Sequence, residues 1–306
     1  MALKEIKNKI RSVNKTRKVT KAMEAVSAVK MRKSQERALA GRPYAKAALT
    51  ILRNLSGSLD AVNHPLVIPR ETENKIAMVV ITSDKGLAGA LNSSVLKEAH
   101  KVMKEHSYSK DQMKIITIGK KGYEHFSNRG FDMFANYPSP DENGTLDSVQ
   151  GLANEIVSAY LDGTYDKCWV VYTNFKSTFE QEAVGRRMLP VALDAVEEVI
   201  QGITPEKGMH ADVRNGNGNG EKVYTLEPNA EAILSTLIPS LISIEIYHGL
   251  LESAASEYSA RRLAMKNASA KASEISRDLN LKFNKARQAI ITREVSEIVG
   301  GMEVSS

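Results

Sequence analysis

The segment Ser83-Asp84-Lys85-Gly86-Leu87-Ala88-Gly89-Ala90-Leu91-Asn92 places two glycines and a lysine directly after an apolar run. That composition suits a loop whose backbone N–H groups wrap a phosphate. The spacing matches neither Gly-x-Gly-x-x-Gly nor a Walker loop ending in Lys-Ser/Thr, because Lys85 precedes both glycines. A tight turn that brings a helix onto a sheet accounts for the same residues. Gly119-Lys120-Lys121-Gly122 offers anion contact with equally little specificity. His64, His100, His106, His125, His210 and His248 are scattered and form no His-Glu-x-x-His pair. The single cysteine, Cys168, lies in an apolar strand pattern and reads as core rather than nucleophile. One cysteine also excludes an intrachain disulfide. Glu294 and Glu297 share a helix face, but nothing in their basic surroundings encloses them as an acid and base pair. The sequence therefore carries no catalytic constellation, and neither a cofactor nor a metal site is expected.

The elements that would position these residues follow from breakers and charge. Neither Gly nor Pro occurs before Gly41 or between Gly249 and Gly300. Both intervals favour continuous helix, the first over about Leu3 to Leu55 and the second over about Ser240 to Val299. At 1.5 Å per residue these span roughly 75 and 90 Å, more than an ordinary domain holds. Leu3, Ile6, Ile10, Val13, Thr16, Val19, Met23 and Val26 form an apolar stripe. Ala268, Ala272, Ile275, Leu279, Phe283, Ala286 and Ile290 form another. The spacing predicts a coiled coil of the two chain ends, and because both helices join one middle segment they are expected to pair antiparallel as a single shaft.

Charge divides the same way. Residues 1–50 carry a net +11 and residues 257–306 a net +3, leaving −8 for the middle of a chain whose total is +6. Basic helices of this kind suit nucleic acid or an acidic protein collar, and composition leaves both open. The absence of an aromatic residue before Tyr44 argues against a base-stacking platform. No run reaches membrane-spanning length; the longest, Ile238 to Ile246, contains Pro239 and is interrupted by Glu245.

The middle changes period. Strands are predicted at Lys75 to Thr82, Lys114 to Ile118, Phe131 to Tyr137, Lys167 to Phe175 and Glu180 to Leu189. Helices are predicted at Ser93 to His106, Lys120 to Asn128 and Leu146 to Leu161. This alternation predicts an inserted Rossmann-like, mostly parallel α/β domain. The resulting division is 1–57 helix, 74–200 α/β domain, 201–222 flexible Asn/Gly loop and 223–306 helix. Pro228 is placed at a helix start, with Glu227 just outside it.

Two terminal motifs add what pattern cannot. Ile6-Lys7-Asn8-Lys9-Ile10-Arg11 through Met31-Arg32, and Phe283-Asn284-Lys285-Ala286-Arg287 through Gly300-Gly301, resemble the paired ends of the gamma subunit of the F-type ATP synthase. Ser83 to Asn92, Glu227-Pro228 and Leu250 to Ala268 are similar to further family segments in the same order. The resemblance implies a non-catalytic central rotor stalk of the proton-translocating complex, with catalysis left to the beta subunits. It implies a coiled coil inside a hexamer of three alpha and three beta subunits, and a foot on the epsilon subunit and the c-subunit ring. It implies contacts to alpha and beta at Lys21, Met23, Arg287, Gln288, Thr292, Glu294 and Glu297, and foot contacts at Tyr224 and Glu227. No nucleic acid partner is implied. The lack of a transit-like segment points to the cytoplasmic face of a bacterial cell membrane.

Overall fold

In the computed structural model, residues 3–59, 65–70, 73–139, 146–191 and 230–305 are described. The elements are α1 (Leu3–Leu59), β1 (Ile76–Ile81), α2 (Leu91–Glu105), β2 (Met113–Ile118), α3 (Lys120–Ser127), β3 (Asp132–Tyr137), α4 (Asp147–Leu161), β4 (Lys167–Phe175), β5 (Gln181–Leu189) and α5 (Ala230–Ser305). The chain divides into two compact units: residues 30–260, and the two chain ends, 1–29 with 261–306.

The larger unit is a five-stranded sheet in the order β3-β2-β1-β4-β5. β1 is parallel to both β2 and β4, β2 is parallel to β3, and β5 returns antiparallel along β4. All six residues of β1 are buried, as a central parallel strand covered on both faces requires. Alternate side chains divide between two cores. Ala77, Val79 and Ile81 join Leu152, Ile156 and Tyr160 of α4 and Ile238, Ile242 and Ile246 of α5. Ile76, Met78 and Val80 join Val95, Ala99 and Val102 of α2 and Phe126 of α3.

Each amphipathic helix repeats its buried face at helical spacing. In α2 this face is Leu91, Val95, Ala99, Val102 and Met103. Two glycines mark close approaches. A Cβ on Gly119, whose φ is +99°, would sit 2.0 Å from the Thr82 carbonyl oxygen, so only glycine fits this crossing. A Cβ on Gly249 would meet Ile81 Cδ1 at 3.2 Å, which shows how closely α5 lies on the sheet.

Within this unit α5 is fastened to the end of β4 by polar contacts. The carboxylate of Glu252, with no exposed surface, accepts a hydrogen bond from the Phe175 N–H at 2.9 Å. Its other oxygen lies 3.5 Å from His248 Nε2. Ser253 Oγ accepts from the Thr173 N–H at 3.3 Å. Lys30 Nζ of α1 stands over the ring of Tyr258, 5.5 Å from its centroid.

One expectation is corrected. The C-terminal helix begins at Ala230, not near Ser240, and passes through Pro239. Proline removes one N–H and normally ends or bends a helix. Here Ile238, Leu241, Ile242, Ser243, Ile244 and Ile246 are all buried, and their packing offsets that loss. The Ser243 hydroxyl also donates back to the Pro239 carbonyl at 3.0 Å. The Asn/Gly loop, Pro228 and the foot residues Tyr224 and Glu227 lie outside the described residues.

Candidate functional site

The unit formed by the chain ends is a helix pair whose seam follows strict heptads. From α1 it takes Ile6, Val13, Thr20 and Ser27; from α5 it takes Met265, Ala272, Leu279 and Ala286. Ile10 and Met23, and Ser276 and Phe283, fill the intervening positions. Ser276 Oγ donates to Asn14 Oδ1 at 3.0 Å across the seam. Thr20 Oγ1 donates to the Arg17 carbonyl at 3.1 Å, and Asn280 Nδ2 donates to the Ser276 carbonyl at 2.7 Å. Asn14 of α1 thus meets Ser276 of α5 across this seam. The helices are antiparallel, as expected of two ends that join one middle segment.

Five residues of the predicted stripes lie off the seam. Val19 and Val26 are 52% and 55% exposed; Ile275 and Ile290 are 39% and 36% exposed. Thr16 is exposed as well. Reading Val13, Thr16 and Val19 as successive steps of three rotates the stripe away from a contact line that averages 3.5 residues per turn. The seam instead accepts Thr20 and Ser27, which are polar but small and buried. Apolar type alone could not distinguish them from Val19 and Val26.

An antiparallel register through Asn14 and Ser276 sets Leu3 level with Arg287. Beyond this level α5 has no counterpart among the described residues of α1, and every residue from Arg287 to Ile298 is exposed. Ile291, Val295 and Ile298 recur at four and three residues on this stretch, 50%, 53% and 63% exposed. Of the residues implied by resemblance, Arg287, Gln288, Thr292, Glu294 and Glu297 all lie on this same stretch. Arg293 Nε lies 3.4 Å from Glu297 Oε1, between well-exposed side chains. Lys21 is exposed on α1 and bonded to Glu24 at 3.2 Å, whereas Met23 is half-buried in the seam. Val19, Val26 and Val29 complete an outward apolar set on α1. Sequence reading placed Val19 and Val26 in the seam and did not single out Val29, Ile291, Val295 and Ile298, whose signal is the apolar remainder left once the heptad is fixed.

The loop after β1 bonds to itself. Ser83 N donates to Asn92 Oδ1 at 3.0 Å, Asn92 Nδ2 donates to Ser83 Oγ at 2.8 Å, and Ser83 Oγ also donates to the Lys85 carbonyl at 2.7 Å. Asp84 Oδ1 accepts from the Lys120 N–H at 2.9 Å. Leu87 and Gly89 take φ of 65° and 60°, completing the turn that leads into α2. The second motif is also engaged internally. Lys121 and Lys120 lie 2.6 and 3.7 Å from Glu124, and Gly122 N donates to Thr82 Oγ1 at 2.8 Å. Cys168 is fully buried, and burial, then the nearby Glu245 charge, push its thiol well above the ordinary range. Glu245 is itself raised to about 7 by burial, opposed by Arg186. Its Oε1 is enclosed without a hydrogen-bond partner. Among the described residues no three His, Cys, Asp or Glu side chains group as metal ligands. No described helix is long and apolar enough to cross a membrane.

Comparison with known proteins supplies the family. The ATP synthase family model matches residues 2–304. The ATP synthase gamma chain of Pelotomaculum thermopropionicum is 38% identical over 301 residues, covering 98% of each chain. That of Methylobacillus flagellatus is 39% identical over 298 residues, covering 97% of each. Among solved structures, a chain of the Euglena gracilis mitochondrial ATP synthase superposes with a TM-score of 0.65 over 99% of this chain and 94% of its own, at 18% identity. A chain from the central stalk and c-ring of the Tetrahymena thermophila mitochondrial enzyme gives 0.59 over 82% and 99%, at 23% identity. With a helix pair of its chain ends, an α/β unit and near-complete coverage of these relatives, the chain belongs to the ATP synthase gamma-chain family.

Proposed function

We propose that the chain is the central stalk of an F-type ATP synthase, a non-catalytic rotor subunit that passes rotation of the membrane ring to catalytic beta subunits during ATP synthesis or hydrolysis. The observation that carries this reading is the stretch of α5 from Arg287 to Ile298, exposed along its length yet bearing Ile291, Val295 and Ile298. A solvated helix gains nothing from three large apolar side chains on one face, whereas a helix end held in a protein sleeve buries them. Arg287, Gln288, Thr292, Glu294 and Glu297 beside them, with Lys21 and Met23 on α1, are the proposed contacts to alpha and beta subunits. Tyr224 and Glu227 are the proposed foot contacts to the c ring, with the epsilon subunit alongside. The complex sits on the cytoplasmic face of a bacterial cell membrane, and this chain is peripheral.

The same family membership supports dividing the chain at 1–57, 74–200, 201–222 and 223–306 into shaft, inserted domain, loop and shaft with foot. Copurification of the full chain with its alpha and beta subunits tests the proposal. A 3:3:1 ratio is the expected result; a monodisperse monomer with no affinity for the hexamer overturns it.

A further inference from the structure

A polar contact between side chains joins α2 to α3 above the sheet. His100 Nε2 lies 2.9 Å from His125 Nε2. The ring centroids are 5.2 Å apart, a separation that the 2.9 Å gap and the two ring radii fill completely. The nitrogens therefore point at each other along a line. A chelated metal needs both lone pairs to converge on a third point, so this geometry is a linear N–H···N hydrogen bond. Such a bond requires one protonated and one bare Nε2. A neutral pair meets the requirement with one ring in each tautomer, and a singly charged pair meets it with the imidazolium as donor. With both rings charged, each Nε2 carries a proton and the contact becomes repulsive.

We propose that His100 and His125 form a proton-operated latch between α2 and α3, closed until the second ring is charged. The surroundings oppose that second charge. Arg129, whose Nη1 donates to the His125 carbonyl at 3.0 Å, adds a fixed cation at the end of α3. Lys97 and Lys104 stand a turn either side of His100 along α2. Lys121, a turn before His125, is engaged by Glu124. Phe126 packs on both imidazoles, and Phe131 lies 6.1 Å from His100 with Lys110 against its ring. Among the described residues neither imidazole has a carboxylate partner. Burial first, then Arg129, hold both below the ordinary histidine value, and the charge of His100 lowers His125 further. Because the folded values lie below the unfolded one, the latch contributes fully above the ordinary value of about 6.5 and is lost as pH falls through the second, lower folded midpoint.

The test is a ¹⁵N-histidine titration of the full chain, with His100→Gln and His125→Gln spectra to assign the two rings. At neutral pH one ring reads as the Nε2–H tautomer and the other as Nδ1–H, and both titrate below the ordinary histidine value with coupled midpoints. Arg129→Gln raises both midpoints and leaves the tautomers unchanged. Amide exchange in α3, corrected for intrinsic rate, rises about tenfold across the lower midpoint as the hydrogen bond gives way to a repulsive contact. In either glutamine variant that step disappears. Identical tautomers, independent midpoints at the ordinary value, or α3 exchange indifferent to the second proton would each overturn the latch.

Discussion

At the scale of single residues, two acids of α5 make opposite demands. Glu252 is an acceptor for a strand-end N–H and fastens α5 to β4. Replacing it by Ala strands a buried donor, which costs about 1–3 kcal/mol. Replacing it by Gln keeps an acceptor and costs less. Near-UV dichroism of Trp169, the only tryptophan and a residue of β4, gives the unfolding midpoints that check this order. Glu245 has an enclosed oxygen with no partner, and its carboxyl is raised to about 7. Its folded value exceeds the unfolded one, so the folded chain holds the proton more tightly. Its contribution is present in full below the ordinary carboxylate range and is lost as pH rises through about 7. Glu245→Gln is therefore expected to stabilise the larger unit at pH 8 by on the order of 2 kcal/mol and to leave it nearly unchanged at pH 5. Denaturant unfolding at the two pH values measures the difference.

At the scale of elements, the helix pair shows what an amino-acid pattern carries and what it does not. β4 was legible to its end residues because Lys167 to Phe175 reads as an unbroken strand-length run. β1 and β5 fell within a residue or so of their predicted limits for the same reason. The seam was legible in period but not in membership. Which side of α1 is buried depends on α5, and a helix carrying apolar residues on two faces does not say which face meets its partner. Pro239 misled the reading similarly, since local propensity cannot weigh the packing of Ile238 to Ile246 on the sheet. Arg287, Gln288, Thr292, Glu294 and Glu297 were legible as identities through the resemblance, whereas their exposure became visible only once the register fixed where the described part of α1 begins. The Asn14–Ser276 bond gives this scale its own test. In a double-mutant cycle with alanine at both positions, the coupling is expected to be about 0.5–1.5 kcal/mol, read from helix-pair melting in the full chain. A coupling near zero would mean that the bond does not set the register.

At the scale of the whole molecule, the proposed contacts make mechanical coupling the sum of many weak interactions. An exposed ion pair is worth about 0–1 kcal/mol, so neutralising Lys21 or Arg287 alone is expected to lower coupled ATP synthesis only modestly. Loss of most synthesis after either single change, with assembly intact, would contradict distributed contact. The apolar end of α5 is expected to matter more for retention. Ile291→Ser, Val295→Ser and Ile298→Ser together remove apolar area while touching no seam residue. At about 25 cal/mol per Å², each is expected to weaken hold on the hexamer by about 1 kcal/mol, measured as faster dissociation of the chain from the complex.

The union of residues 3–29 with residues 261–305 has a consequence for how the protein is made. The first helix leaves the ribosome before its partner exists. At about 5–20 residues per second, translation of the intervening chain takes on the order of 10–50 s. Throughout that wait Ile6, Ile10 and Met23 have no α5 to cover them, so the shaft closes only after synthesis is nearly finished. Nascent chains that stall in the last fifth of the message thus carry a complete sheet but an unzipped stalk, and they are the natural clients of chaperones and proteases.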